Sequence, residues 1–254
     1  MSKFFVNNNQ IENDLIYIEG QDYNHIKNVL RYKINDCLTI CDNTNGINYY
    51  CEIKSFDNNN VVCKIMSTLE DDTESNIKIT IFQGLPKADK MELIIQKGTE
   101  LGVSTFVPVN LKRSIVKLNG KDEDKKISRW QTIAEVASKQ SGRNIIPQVE
   151  RVLSFKLLLD RIKEYDLFFL AYEDEHTLSL KELLKQFKEQ NKDKMQNKQE
   201  LKIAFVVGPE GGIAKEEYEE LVNSNVNAVT LGKRILRTET VALNVASILM
   251  YELD

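Results

Sequence analysis

A chain of 254 residues, 42% hydrophobic and 28% charged, suits one large or two modest soluble globular domains. No apolar run approaches the about 20 residues of a membrane-spanning helix, and the N-terminus MSKFFVNNNQIEND has no apolar signal core, so a cytoplasmic protein with no membrane partner is expected. A net charge of −4 argues against a non-specific nucleic-acid binder, but residues 112–151 carry ten Lys or Arg against five acids, while residues 1–70 carry six against nine. Any RNA footprint is therefore expected along 112–151.

Residues 1–70 read as a small mixed domain. Lys3–Val6 is a short strand, and Asp22 is placed to cap a helix running through Leu30. Strands at 37–41, 47–56 and 61–69 follow, separated by the turns NTNG and DNNN, whose residues tolerate positive φ. The sum is a small antiparallel barrel with one helix. Cys37, Cys41, Cys51 and Cys63 match no zinc spacing and read as free thiols, so no metal is expected. The acidic run at 70–76 marks a boundary: domain 1–70, linker 71–76 and domain 77–254.

Ile77–Phe82, a helix from Ala88 or Asp89 to Leu101 closed by Gly102, and a strand at 104–109 form a βαβ unit, which implies a parallel sheet. KLNGKDEDKK reads as a mobile charged loop before a helix at 127–141. At the end of that helix Gln140, Ser141 and Arg143 are in reach of a phosphate or base; Arg113 and Arg143 read equally well as ion-pair partners. Ser154 caps a helix at 155–162, residues 166–172 form a buried strand, and 178–190 are helical. The lone His176 reads as a surface-loop residue, and NKDKMQNKQE at 191–200 as an exposed loop.

The last part of the chain organises the rest. Leu201–Val207 is a buried strand that runs into Gly208-Pro209-Glu210-Gly211-Gly212 and then a helix from Ala214 to Leu221. A second unit repeats the plan: a strand at 227–231, the loop GKRILRTET at 232–240 and an apolar helix at 241–253. Both loops fall at the carboxyl edge of a parallel sheet, where such folds bind ligands. The spacing is neither a dinucleotide fingerprint nor a P-loop. Nucleophile triads, H-E-x-x-H and zinc spacings are absent, which points to a reaction driven by a bound cosubstrate and positioning.

GPEGG followed by LGKRILRTETVALNVA resembles the knotted, SPOUT-type RNA methyltransferases, and most closely the ribosomal RNA small subunit methyltransferase E family, which makes N3-methyluridine in 16S rRNA. LPKADKMELIIQKGTELGVSTFVPV and RWQTIAEVASKQSGRNIIPQV are similar to the same family, and HIKNVLR resembles an element of its N-terminal PUA-like RNA-binding domain. The resemblance implies an α/β fold: a C-terminal trefoil-knot methyltransferase domain with a parallel sheet, behind a PUA-like β-barrel. It implies S-adenosyl-L-methionine as cofactor and 16S rRNA of the small ribosomal subunit as partner. It also implies a homodimer through the knot-region helices.

Carried over by position, three loops hold the cofactor: Leu170-Ala171-Tyr172-Glu173, Gly208 to Gly212 (Gly208, Pro209, Glu210, Gly211, Gly212), and Leu231 to Thr240, with Leu231, Gly232, Ile235, Leu236, Arg237 and Thr240 as the contacts in the last. RNA contacts are expected from His25, Arg31, Lys87, Arg113, Gln140, Arg143 and Arg234, with Lys90 and Lys97 also in reach of substrate. For uridine N3, Arg237 is expected to stabilise the developing uracil anion, with Glu239 as orienter or base; Glu239 reads alternatively as a cap of the last helix. Rival readings are methylation at another RNA position such as a ribose 2′-hydroxyl, a non-catalytic RNA-binding factor, and a nucleotide-dependent oxidoreductase.

Overall fold

The computed structural model describes residues 3–70 and 73–254. The chain divides into two compact units, 1–74 with 138–146, and 75–137 with 147–254. The expected linker at 71–76 falls partly on Asp71 and Asp72, which lie outside the described residues.

The first unit is built on a six-stranded sheet of β1 (Lys3–Val6), β2 (Ile11–Glu12), β3 (Leu15–Ile18), β4 (Cys37–Asp42), β5 (Ile47–Asp57) and β6 (Asn60–Leu69), in the order β1-β4-β5-β6-β3-β2. The β1–β4 pairing is parallel, so the sheet is mixed rather than wholly antiparallel. Alternation sends Phe4, Ile16, Ile18, Leu38, Ile40, Ile53 and Val61 into one core. Asn58 and Asn59 take positive φ in the β5–β6 turn, as the DNNN turn requires.

Helix α1 (Gly20–Asn24) starts after Glu19, not at Asp22, and continues as a π-helical turn at His25–Val29. The segment Ser138–Ile146 joins this unit although it follows in sequence from the second. It is held there by polar contacts: Glu74 accepts from Asn144 N at 2.9 Å and Ile145 N at 3.2 Å, and Lys3 Nζ donates to Asn144 Oδ1 at 2.6 Å.

The second unit contains β7 (Ile77–Gly84), α2 (Lys90–Glu100), β8 (Thr105–Asn110), most of α3 (Gly120–Ser141), β9 (Gln148–Val149), β10 (Leu153–Ser154), α4 (Phe155–Asp160), β11 (Leu167–Ala171), α5 (Leu180–Gln190), α6 (Lys192–Gln196), β12 (Leu201–Val207), α7 (Lys215–Asn223), β13 (Asn227–Val229) and α8 (Thr238–Leu253). Its sheet runs β10-β8-β7-β12-β11-β13, with β9 on β8, and every pairing is parallel. One face packs Phe82, Val107, Phe168, Leu170, Ala204 and Val206 with Leu158 of α4 and Leu221 of α7. The alternate residues, including Phe169 stacked on Phe205, point to the other face.

Two expected loops are partly helical. Helix α3 begins at Gly120, so most of KLNGKDEDKK is helix. Asp122 and Glu123 favour its first turn through the helix dipole, and Glu123 Oε1 accepts from Val152 N at 3.1 Å. In the same way 191–200 contains α6, and Lys194 of this helix pairs with Asp166 at 2.8 Å. Among the described residues no helix is long and apolar enough to cross a membrane.

Candidate cofactor-binding cavity

A cavity of about 610 Å³ opens at the carboxyl ends of β11, β12 and β13, within the usual range for small-molecule sites. Three loops line it. The first leaves β11 at Ala171. Tyr172 forms wall and stacks on Tyr218 of α7, with ring centroids 4.5 Å apart. Beyond it the Glu175 carboxylate gathers His176 N at 2.9 Å and Thr177 N at 2.6 Å, which fixes the loop that carries Glu173 and Asp174.

The second loop is Gly208–Gly212. It turns back on itself through Gly212 N to Pro209 O at 2.9 Å. Gly212 has φ +72°, so the turn requires glycine for its conformation. Outside the cavity, Gly211 O accepts from Arg113 NH1 at 2.9 Å.

The third loop follows β13. Leu231, Leu236 and the 88% exposed Ile235 give an apolar wall, while Lys233, Arg234 and Arg237 bring positive charge. Arg237 is the N-cap residue of α8. The helix starts at Thr238, three residues before the expected Val241, because Thr238 finds buried partners: its hydroxyl donates to Gly208 O at 2.7 Å and accepts from Gln83 Nε2 at 2.9 Å. This links the second and third loops to the end of β7.

A charged cluster borders the cavity. Lys90 Nζ lies 3.0 Å from Glu210 Oε1 and 3.2 Å from Glu239 Oε2. The contact to Glu239 is an ion pair. Glu210 also accepts from Lys87 N at 3.0 Å. Burial works to raise the Glu210 carboxyl, but Lys90 and the surrounding N–H groups hold it below the ordinary carboxylate range. The hydrogen bond to Glu210 raises the Lys90 ammonium, so this pair is charged at neutral pH.

Of the residues expected around a cofactor, Ala171, Tyr172, Gly208, Pro209, Glu210, Gly212, Leu231, Gly232, Ile235, Leu236 and Arg237 share this cavity. Leu170 lies fully buried in the core beneath it, Gly211 abuts Arg113, and Thr240 is exposed in the first turn of α8 away from the lining. Glu239 does not line the cavity; it sits in the first turn of α8 and meets Lys90, which does. Glu173, Lys233 and Thr238, which lie within the expected loops, also line it, whereas Asp174 and His176 were not expected here. Their signal in the sequence was position alone, within or next to loops at strand ends.

The expected RNA contacts divide between the units. Lys87, Arg113 and Arg234 belong to the second, and of these Arg234 lines the cavity. His25, Arg31, Gln140 and Arg143 belong to the first. His25 is exposed and packs edge-on against Phe4, Arg31 is exposed with φ +56°, and Gln140 is exposed in the last turn of α3. Arg143 is only 6% exposed and binds Glu74 through Nε at 3.2 Å and NH2 at 2.7 Å, so it takes the ion-pair role that the sequence had left open.

This sheet, its loop-lined cavity and the separate β-rich unit define the class. A family profile for an RNA methyltransferase domain matches residues 73–250, and one for an RNA methyltransferase PUA domain matches residues 18–66. The chain is 38% identical to the ribosomal RNA small subunit methyltransferase E of Bacillus subtilis over the whole of this chain and 98% of that protein. It belongs to the ribosomal RNA small subunit methyltransferase E family.

Two solved structures share the fold. The Neisseria gonorrhoeae ribosomal RNA small subunit methyltransferase E, bound to S-adenosyl methionine, matches with a TM-score of 0.81 at 28% identity over 99% of this chain and 97% of that one. A Legionella pneumophila protein solved in complex with the same cofactor matches with a TM-score of 0.81 at 26% identity over 98% and 96%.

Proposed function

We propose that this protein transfers a methyl group from S-adenosyl-L-methionine to N3 of a uridine in 16S rRNA of the small ribosomal subunit. The observation that carries this reading is the cavity at the carboxyl ends of β11, β12 and β13, built from glycine turns, an apolar wall and flanking charges. Its residues fit the cofactor. Leu231, Ile235 and Leu236 offer an apolar surface to an adenine, Gly208 and Gly212 present backbone without Cβ obstruction, and Glu173, Asp174 and Glu210 offer negative charge to a sulfonium. When bound, the cofactor supplies an activated methyl whose bond pair returns to sulfur, leaving a neutral thioether.

The protein's own task lies at the uracil. The imide N3 has no available lone pair until its proton leaves, so the ring must pass through an anion. In this reading Arg237, with Arg234 and Lys233 on the same loop, stabilises negative charge on the ring oxygens, and the N-terminus of α8 adds its dipole; all three side chains line the cavity. The N3 proton passes to a base or to solvent. Glu239 serves as an orienter through Lys90 in this reading, not as the base.

His25, Arg31, Lys87, Arg113, Gln140 and Arg234 supply the RNA contacts. The protein works in the cytoplasm, as a homodimer with the trefoil knot that the family resemblance implies. Half-buried Leu243, Ile248 and Met250 on α8, together with Tyr251 at 87% exposure, support a partner surface there.

Labelled S-adenosylmethionine incubated with undermethylated small subunits tests the reading. Label is expected in 16S rRNA; an unlabelled RNA together with no cofactor binding would favour a non-catalytic RNA-binding role.

A further inference from the structure

Lys90 lies outside the three cavity loops, yet its ammonium borders the cavity and joins two of the elements that shape it. Its partners come from separate places in the chain: Glu210 from the glycine loop at 3.0 Å and Glu239 from the first turn of α8 at 3.2 Å. The three side chains are 26%, 28% and 15% exposed, so water screens them only in part. One ammonium between two carboxylates leaves a net charge of −1 on the cluster. Without the ammonium, two partly buried carboxylates would face each other with repulsion in place of attraction.

The geometry has a mechanical consequence. Glu210 sits within the glycine turn that Gly212 N and Pro209 O close, and Glu239 sits two residues after the N-cap Arg237. Through these two side chains the Lys90 ammonium couples the glycine turn to the start of α8.

We infer that Lys90 is a positioning residue for the methyl donor, acting through Glu210 and Glu239 to hold the glycine loop and the start of α8 at one separation. This rests on the reading that the cavity takes S-adenosylmethionine. It differs from a direct role for Lys90, in which the ammonium would touch the donor or the RNA and its two carboxylate partners would be incidental.

Calorimetric titration of the full-length protein with S-adenosylmethionine separates the two. Lys90→Met is expected to raise Kd on the order of tenfold, the usual size of coupling within one charged network. Lys90→Arg, which keeps the charge, is expected to stay within about threefold of the parent protein because the ion pairs survive with altered geometry.

The deciding comparison uses the background Glu210→Gln with Glu239→Gln. There, adding Lys90→Met should leave Kd within about threefold of the double variant, because no charge pair remains to break. The same tenfold loss in that background would overturn the inference in favour of direct contact. An unchanged Kd in Lys90→Met alone would also overturn it. If the parent protein bound no S-adenosylmethionine, the cofactor reading itself would fall and the inference with it, an outcome distinct from both.

Discussion

Gly84, at the end of β7, is expected to control a site more than a hundred positions away. Its backbone meets the start of the glycine loop: an added Cβ would lie 2.7 Å from Pro209 Cδ, 2.8 Å from Pro209 N and 2.7 Å from Leu111 Cδ1. Ordinary contact begins at 3.4 Å, so Pro209 would have to retreat by about 0.7 Å. A positive φ does not enter here, so the penalty of Gly84→Ala is steric alone. Overpacking of this kind costs about 2 kcal/mol, which in a chain of this size lowers the apparent Tm by about 4–8 °C. The retreat also moves the loop that carries Gly208 and Glu210, so affinity for S-adenosylmethionine should fall. Differential scanning calorimetry gives the first number, and isothermal titration well below the transition gives the second. A Gly84→Ala protein with unchanged Tm and unchanged Kd would refute the packing argument.

Other consequences are testable in the same way. Glu217 is 3% exposed and accepts from Lys112 N at 2.8 Å and Ala214 N at 3.2 Å; Glu217→Ala strands both donors and should cost about 3 kcal/mol in urea unfolding, with Glu217→Gln losing less. Burial alone would raise the Glu74 carboxyl, but Arg143 and two backbone N–H groups hold it below its ordinary 4.5. A carboxylate depressed in the folded state contributes stability that is present above the unfolded value and lost as pH falls through the folded one. The acid limb of stability below about pH 4.5 should therefore be shallower in Glu74→Gln than in the parent protein, as urea titrations from pH 7 to pH 3 would record. Arg237→Ala should lower kcat by about 10²–10³, since the guanidinium is assigned to the developing anion; near-normal turnover with unchanged product would defeat that assignment.

The parts of the fold with a local cause were legible in the sequence. Leu201–Val207 stands where its mostly apolar run placed it, and Gly102, at φ +90°, closes α2 with its missing Cβ against Met250. Ser154 caps α4 by accepting from Leu157 N. What depends on distant partners was not legible. The first turns of α3 look like a charged loop until Arg151 and Val152 are seen meeting Glu123. Arg143 read equally as a substrate contact or an ion pair because its partner, Glu74, lies 69 positions away. Much of the cavity was legible because each of its loops follows a recognisable strand. The Lys90 cluster was not, since its two carboxylates come from the far end of the chain and only the fold brings them to α2.

The central claim is the identity of the methylated atom. Small subunits lacking the modification would be treated with the protein and labelled S-adenosylmethionine, the 16S rRNA digested to nucleosides, and the labelled species identified by chromatography and mass. The account predicts label in N3-methyluridine alone. Label in a ribose 2′-O-methyl nucleoside, or in another base, would contradict it.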